Sequence, residues 1–455
     1  MLKVWAILLF GSLLTPSQGL DGATQVLSSV NANGLGKIID NVLHRGDILN
    51  SVLGTVSAGD GGLLNLGNLL GTDLTKLEIK KLTLPKVSLK LLPGVGVQLN
   101  VNTQVLIEGK SLLAKVLNLQ VDVNIIARAR LAQDDMGAPK LIVEDCKTQL
   151  VNVRLLNALP LRPAVLNKAL GNLFPGVLCP LIDTVLNAVN PLLSTVNSVV
   201  PLGVVGKLQY ILASLPVVSD AEIKLDLNAV VEDLLGHRVD DPTCSAATVS
   251  LPSVVASPSQ LGLSVCLLSS VLKLLLAPGK LSTDIAAQTL PSDTPLTASA
   301  LRALIPEVSE LLPESQQLLL KIRVLETPAV SVQNGKVMVR LPASIEVSPS
   351  ASPQRSLFVL DADIVLSVQP TISDNKLRIS VALERVGLRL ASSLISNFNV
   401  ALLEPLISDI LNAAYVPFIN GALAVGIPLP NLLNLKWENG LVKVINNALS
   451  VNALA

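Results

Sequence analysis

The stretch Leu117-Asn-Leu-Gln-Val-Asp-Val-Asn-Ile125 decides the fold of this chain. Leu117, Leu119, Val121, Val123 and Ile125 alternate with Asn118, Gln120, Asp122 and Asn124, the period of an extended strand with one face buried and one in water. Upstream, Val97, Leu99 and Val101 alternate with Gln98, Asn100 and Asn102, and Leu77, Ile79, Leu82 and Leu84 continue the pattern. Downstream, residues 140–155 form one more strand, which carries Cys146. Long half-buried strands of this kind pair antiparallel. Helical spacing flanks them. Leu35, Ile38, Ile39, Val42 and Leu43 predict an amphipathic helix within 34–56, followed by a Gly-rich loop over 54–71, and 160–200 returns to a helical pattern around Cys179.

The same order recurs further on. After a Pro, Ser and Ala-rich stretch at 240–260, read as a connector, come a helix around 298–311, alternating strands over 320–390 and a long helix over 392–424. Leu77-Glu-Ile-Lys-Lys-Leu-Thr-Leu-Pro-Lys-Val-Ser-Leu89 aligns with Leu320-Lys-Ile-Arg-Val-Leu-Glu-Thr-Pro-Ala-Val-Ser-Val332, and Pro180-Leu-Ile-Asp-Thr-Val-Leu-Asn-Ala188 with Pro405-Leu-Ile-Ser-Asp-Ile-Leu-Asn-Ala413. Two matches in one order, in the same kind of element, indicate an internal duplication. The chain is read as a signal peptide at 1–19, a first half at 20–239, the connector, and a second half at 261–455.

Half of the residues are hydrophobic, yet only 2% are aromatic and 15% charged. Average domains carry about 25% charged residues, so this chain either enters a membrane or buries an unusual amount of aliphatic surface. A membrane-spanning helix needs roughly 18 or more apolar residues in succession. The nearest approach, Leu261 to Ala277, is broken by Ser264, Cys266, Ser269, Ser270 and Lys273 and reads as a core helix or a strand–helix pair. At the N-terminus, Lys3, the apolar run Val4 to Leu14, and the small residues Ser17 and Gly19 have the layout of a cleaved export signal. Four cysteines in an exported chain fit one or two bridges, Cys146 with Cys179 and Cys244 with Cys266 being near neighbours in sequence. No Asn-x-Ser/Thr glycosylation signal occurs.

Catalysis finds no constellation. The two histidines, His44 and His237, fall in separate segments and read as solvated residues at helix ends. Gly-x-Ser-x-Gly, His-Glu-x-x-His and Walker motifs are absent, Gly59, Gly61 and Gly62 lack the setting of a phosphate loop, and Asp134-Asp135 and Asp240-Asp241 read as solvated loop carboxylates. The expectation is therefore no enzyme, no cofactor and no metal. Lys and Arg number 34 and Asp and Glu 34, without blocks of one sign, which argues against nucleic acid and against strong attraction to anionic membranes. The helix from Pro180 to Val200 lacks the cationic face of an interfacial helix, so membrane-surface contact is expected to be weak.

Leu82-Thr-Leu-Pro-Lys-Val-Ser88, Leu92-Pro-Gly-Val-Gly-Val-Gln-Leu99, the Cys146 strand, Leu178-Cys-Pro-Leu-Ile-Asp183, Leu304-Ile-Pro-Glu-Val308 and Val425-Gly-Ile-Pro-Leu-Pro430 together resemble the family of bactericidal/permeability-increasing protein, lipopolysaccharide-binding protein and the lipid-transfer proteins. The likeness spans the mature chain and is nearest to the long PLUNC branch (palate, lung and nasal epithelium). It implies an α+β molecule in the form of an elongated boomerang: two tandem pseudo-symmetric barrels, each a twisted antiparallel sheet with long helices, joined by a central sheet. It also implies a Cys146–Cys179 disulfide; Cys244 and Cys266 have no counterpart there, and their pairing rests on proximity. The aliphatic strand faces, Leu117, Leu119, Val121 and Val123 in the first half and Leu360, Ala362, Ile364 and Leu366 in the second (opposed by Asp361, Asp363 and Ser367), either fill the barrels or line acyl-chain cavities. The resemblance selects cavities. It implies a secreted carrier of phospholipid, odorants or other apolar small molecules in mucosal fluid, with a role in innate defence. The alternative is a defence protein recognising bacterial envelope lipid such as lipopolysaccharide. Against that alternative, Asp40, Asp47, Asp60 and Asp73 are interspersed with Lys37, Arg45 and Lys76 where antibacterial members look strongly basic.

Overall fold

Alternating segments become strands, and segments of three-to-four spacing become helices laid across them. The computed structural model describes residues 25–44, 74–111, 116–135, 137–156, 163–241, 249–251, 259–395, 398–431, 437, 442–445 and 448–452. The described chain opens on β1 (Val26–Asn31) and α1 (Ala32–His44). The Asn31 side chain accepts from the Gly34 amide at 2.8 Å and so caps the start of α1. Then come β2 (Leu74–Leu82), β3 (Lys86–Leu92), β4 (Gly96–Ser111), β5 (Val116–Gln133) and β6 (Pro139–Leu155). They form one antiparallel sheet, β2-β4-β5-β6, with β3 also on β4. Across it lies α2 (Pro163–Ser194). Its buried Leu170, Phe174, Leu178, Leu181, Val185 and Val189 recur every three or four residues and pack into the sheet's core.

β7 (Ser198–Pro201), β8 (Gly206–Leu212), β9 (Val217–Val218) and β10 (Glu222–Asp233) follow, then β11 (Ser259–Ser264) and α3 (Val265–Leu275). The second half adds β12 (Thr283–Ala286), α4 (Ala298–Arg302), β13 (Leu318–Val324), β14 (Ala329–Gln333), β15 (Lys336–Pro349), β16 (Phe358–Ser373) and β17 (Lys376–Ser393). It closes with α5 (Glu404–Ile410), α6 (Val416–Leu423), β18 (Ile427–Pro428), β19 (Val442–Ile445) and β20 (Ala448–Asn452). The second sheet runs β12-β13-β15-β16-β17-β18, with β14 on β15.

The duplication holds at the level of pairing. β2 and β3 both pair with β4, and β13 and β14 both pair with β15; the break between members of each pair falls at Pro85 and Pro328, which the sequence alignment had matched. A third sheet joins the halves in the order β19-β20-β11-β1-β10-β8-β7, so first-half β1 lies directly on second-half β11. Tyr210 on β8 donates to the Pro428 carbonyl at 2.7 Å, a second tie between halves.

Several expectations need correcting. The helix read over 160–200 ends at Ser194, and the chain then turns into strand β7. The helix read over 392–424 starts only at Val400, because β17 continues to Ser393. The helix around 298–311 is two short pieces, α4 and a 3-10 turn at Pro306–Glu310, divided at Pro306, which cannot donate to a helical ladder. The Leu261–Ala277 segment is a strand–helix pair, β11 and α3, and Ser259 and Gln260 at the end of the read connector already belong to β11. The first helix is described only to His44, and the Gly-rich loop at 54–71 lies outside the described residues. Two helical stretches, Leu166–Ser194 and Val400–Leu423, are long and apolar enough to cross a membrane by length and composition. In both, the apolar stripe is spent against a sheet, and the first carries Pro175, Pro180 and Pro191 within it.

Candidate functional site

The aliphatic face of β5 lies inside the first half. Val121 is fully buried between Val105 on β4 and Val153 on β6, and Leu119 and Val123 are buried beside it. Leu117 pairs with Gly109, and its side chain lies outside the described residues. On the wet face, Asp122 accepts from the Gln104 side chain at 2.7 Å. In the second half Leu360, Ala362, Ile364 and Leu366 are likewise buried, each facing an apolar residue of β15 and of β17. Opposite them, Asp361 pairs with Arg389 at 2.8 Å and Asp363 with Arg340 at 2.6 Å. Ser367 departs from the expected alternation. A register shift at Val365/Leu366 and the approach of β19 to β16 leave residues 364–368 buried without a break, and the Ser367 hydroxyl donates to the Ala382 carbonyl.

Two apolar cavities occur in the two halves, and none of these residues lines them. The first-half cavity, about 20 Å³, lies between β1, α1, β10, the β5–β6 tip and the end of α2; among the described residues Val30, Leu35, Leu131, Pro139, Leu141, Leu193, Ile223 and Leu225 line it. The second-half cavity, about 10 Å³, lies under α5 and is lined among others by Leu318, Leu320, Val347, Phe358, Leu406 and Ile410. Under the pairing equivalence of β5 with β16 they sit at opposite ends of their sheets: Leu131 is near the end of β5, and Phe358 starts β16. Each has room for only about one water-sized sphere. A chain-like ligand would enter by making side chains yield.

A tie that no local sequence pattern shows satisfies the backbone beside the first cavity. Leu141 lines it on edge strand β6, whose outer backbone groups have no next strand to meet. The Asn190 amide on α2 takes their place, accepting from the Leu141 N–H at 2.8 Å and donating to its C=O at 3.0 Å. Asn420 on α6 does the same for Val381 on β17, at 2.7 and 3.1 Å. An asparagine near the end of each half's long helix was the only signal.

Cys146 on β6 and Cys179 on α2 are joined, with Cα atoms 5.9 Å apart, fastening the helix to the sheet. Cys266 is also disulfide-bonded; Cys244 lies outside the described residues. The histidines stay apart. His44 ends α1, its ring nitrogen 2.8 Å from the Asp40 carbonyl, whereas His237 sits in a turn after strand β10 and not at a helix end. Asp241 is no solvated loop carboxylate either: it is nearly buried, 2.8 Å from Lys273 and accepting from Ser269. Lys37, Asp40, His44 and Lys86 line an open groove of about 800 Å³ between α1 and β3, with both charge signs present. Burial pushes the Tyr210 and Tyr415 phenols above their ordinary pKa, leaving both as neutral donors. Among the described residues no three His, Cys, Asp or Glu side chains converge as a metal site.

Comparison with known proteins agrees with this architecture. The N-terminal domain of the LBP / BPI / CETP family matches residues 27–196, and its C-terminal domain residues 205–454. BPI fold-containing family B member 3 of Mus musculus is 40% identical over 467 residues, covering 98% of each chain. BPI fold-containing family B member 4 of Homo sapiens is 38% identical, covering 85% of this chain and 65% of that one. Among solved structures, lipopolysaccharide binding protein superposes with a TM-score of 0.57 at 20% identity, over 95% of this chain and 98% of that chain.

Proposed function

The chain belongs to the LBP / BPI / CETP family, and on that premise we propose that it is a secreted, non-enzymatic carrier of apolar, lipid-like molecules. The observation that carries this reading is the first-half cavity, which among the described residues is lined by apolar side chains with no polar one among them. Such a wall recognises a ligand by what it removes from water. Each Å² of buried apolar surface contributes roughly 25 cal/mol, so an alkyl chain gains affinity with length and needs no hydrogen bond. The Asn190 clamp supports the same reading by removing the two backbone groups that would otherwise hold water at Leu141. Leu119, Val121, Val123, Leu360, Ala362, Ile364 and Leu366 are buried on the inner faces of the two sheets, and in this reading they yield when a chain enters. Phospholipid, a fatty acid or an odorant of mucosal fluid fits this chemistry.

The test is native mass spectrometry, with lipid extraction, of protein recovered from the medium of secreting cells. Co-purifying apolar mass, and a mature chain beginning near residue 20, are expected. Ligand-free protein that also fails to take up a fluorescent fatty-acid analogue would overturn the reading. Salt separates it from recognition of a charged bacterial envelope. Uptake into an aliphatic cavity hardly changes between 0.05 and 0.5 M salt on the order of a Debye-length argument, whereas envelope binding through cations falls steeply.

A further inference from the structure

Two turns at one end of the central sheet hold aliphatic side chains out in water. Gly206, which opens β8, pairs with Asp233, which closes β10, so the turn at 202–205 and the turn at 234–237 lie side by side. Val204 is 85% exposed, Leu234 74% and Leu235 80%. Val199, on edge strand β7, is exposed close by. Single exposed aliphatics are ordinary. Three at the tips of two neighbouring turns, where Gly, Asn, Asp and Ser are the usual residues, are not.

Both turns are locked. The Asp233 carboxylate accepts from the amides of Leu235 at 2.8 Å and His237 at 2.9 Å, and the Asp233 amide donates to the His237 carbonyl. Gly236 supplies the left-handed backbone that closes this turn, with φ of +83°. In the neighbouring turn Leu202 donates to Gly206 and Val205 to Leu202, with Gly203 at φ +58°. A side chain at Gly206 would run into the Glu232 carbonyl, so glycine there is what lets the hairpins approach. The leucines are therefore presented on a stiff support, and little ordering entropy remains to be lost on contact.

The surroundings identify the occupant. The tips protrude instead of forming a groove, so the partner must accept side chains without a matching pocket, as the acyl region of a lipid layer does. At the base of the tips stand Arg238, the Lys207–Glu232 pair at 2.8 Å and His237, which is 73% exposed. Aliphatic tips above a belt in which Lys207 faces Glu232 and His237 faces Asp233, with both charge signs present, complement a surface whose apolar interior is roofed by headgroups that carry both signs. We propose that the paired turns are a membrane-docking tip that inserts Val204, Leu234 and Leu235 among the headgroups of a zwitterionic phospholipid layer. The tip lies at the far end of β10 from Ile223 and Leu225 of the first-half cavity, so it stands independently of what that cavity holds.

Flotation of the full chain with phosphatidylcholine vesicles tests it. Wild-type protein should float, with little change on raising salt. The double substitution Leu234→Ser and Leu235→Ser should weaken partition at least about tenfold, and Val204→Ser about threefold, from lost apolar burial. Leu325→Ser and Leu394→Ser, at exposed leucines elsewhere, should float as wild type does. A separate variant, Leu235→Trp, should give a blue-shifted emission on vesicle addition, against the steady background of buried Trp437. Wild-type protein that stays in solution, a double variant that floats normally, control variants that fail equally, or Leu235→Trp emission that does not move would each overturn the proposal. So would a double variant that loses only self-association in sedimentation, which would make a second copy the occupant. Uptake of monomeric fatty-acid analogue without vesicles is read in parallel. Its failure in wild-type protein sinks the cavity reading and leaves the docking tip standing.

Discussion

Replacing Val121 by Asp places a carboxyl at the driest point of the first sheet. Val121 has no solvent exposure, and its cross-strand neighbours Val105 and Val153 offer no donor. A carboxyl there is held protonated, because desolvation penalises the charged form. Its ordinary pKa is about 3.9, so staying neutral at pH 7 costs about 3 units, or about 4 kcal/mol. The lost aliphatic burial adds about 1.5 kcal/mol. The sum is comparable with the whole stability of a marginal domain, about 5–15 kcal/mol. The pH dependence has a definite sign. The folded-state pKa is raised above the unfolded value, so the deficit against wild type is smallest below about pH 4 and grows as pH rises toward the folded-state pKa. Thermal melts by circular dichroism at pH 4 and 7 read this directly. Asp122→Ser, one residue away, loses only the Gln104 hydrogen bond and should cost about 1 kcal/mol at either pH. A Val121→Asp protein with wild-type stability at pH 7, or a deficit independent of pH, would refute a dry inner face for β5.

Asn190→Leu and Asn420→Leu should each lower stability by about 2–3 kcal/mol, since each strands a backbone N–H and C=O where no neighbouring strand pairs with them; urea midpoints of the two single variants and the double would show this as nearly additive losses. Unreduced peptide mapping should recover Cys146 linked to Cys179, and replacing both by Ser should cost about 3–4 kcal/mol from the loop of separation 33 that the bridge closes. The Asp233 carboxyl is held below its ordinary pKa, first by the His237 amide, so its support of the turn is complete above the unfolded value near about 4 and is lost as pH falls through the lower folded value. Amide exchange at Leu235 and His237 should accelerate only below that range, and Asp233→Ala should show the fast exchange already at neutral pH. Gly206→Ala should separate the two turns, seen as weaker vesicle flotation with the disulfide and the first-half core intact.

Features that depend on period and short-range order could be read from the residues alone. Leu119, Val121 and Val123 go inward and Asp122 outward because neighbouring residues on a strand point to opposite faces, whatever the sheet packs against. The duplication was legible because the Pro85 and Pro328 breaks fall at the same place in each half. The Cys146–Cys179 link was legible through family resemblance. Features that depend on partners far apart in the chain emerged from the folded molecule. The central sheet came only through the resemblance although Leu208, Tyr210 and Leu212 alternate, and its joining of β1 to β11 depends on segments more than two hundred residues apart. Asp241 was misjudged because its burial is set by Lys273 and Ser269 on α3, and Ser367 because a register shift and β19 close over its face. The cavities fall at opposite ends of two sheets with the same pairing order because a void is what close packing leaves unfilled. Its place depends on how side chains from several elements meet, and no local pattern encodes that meeting.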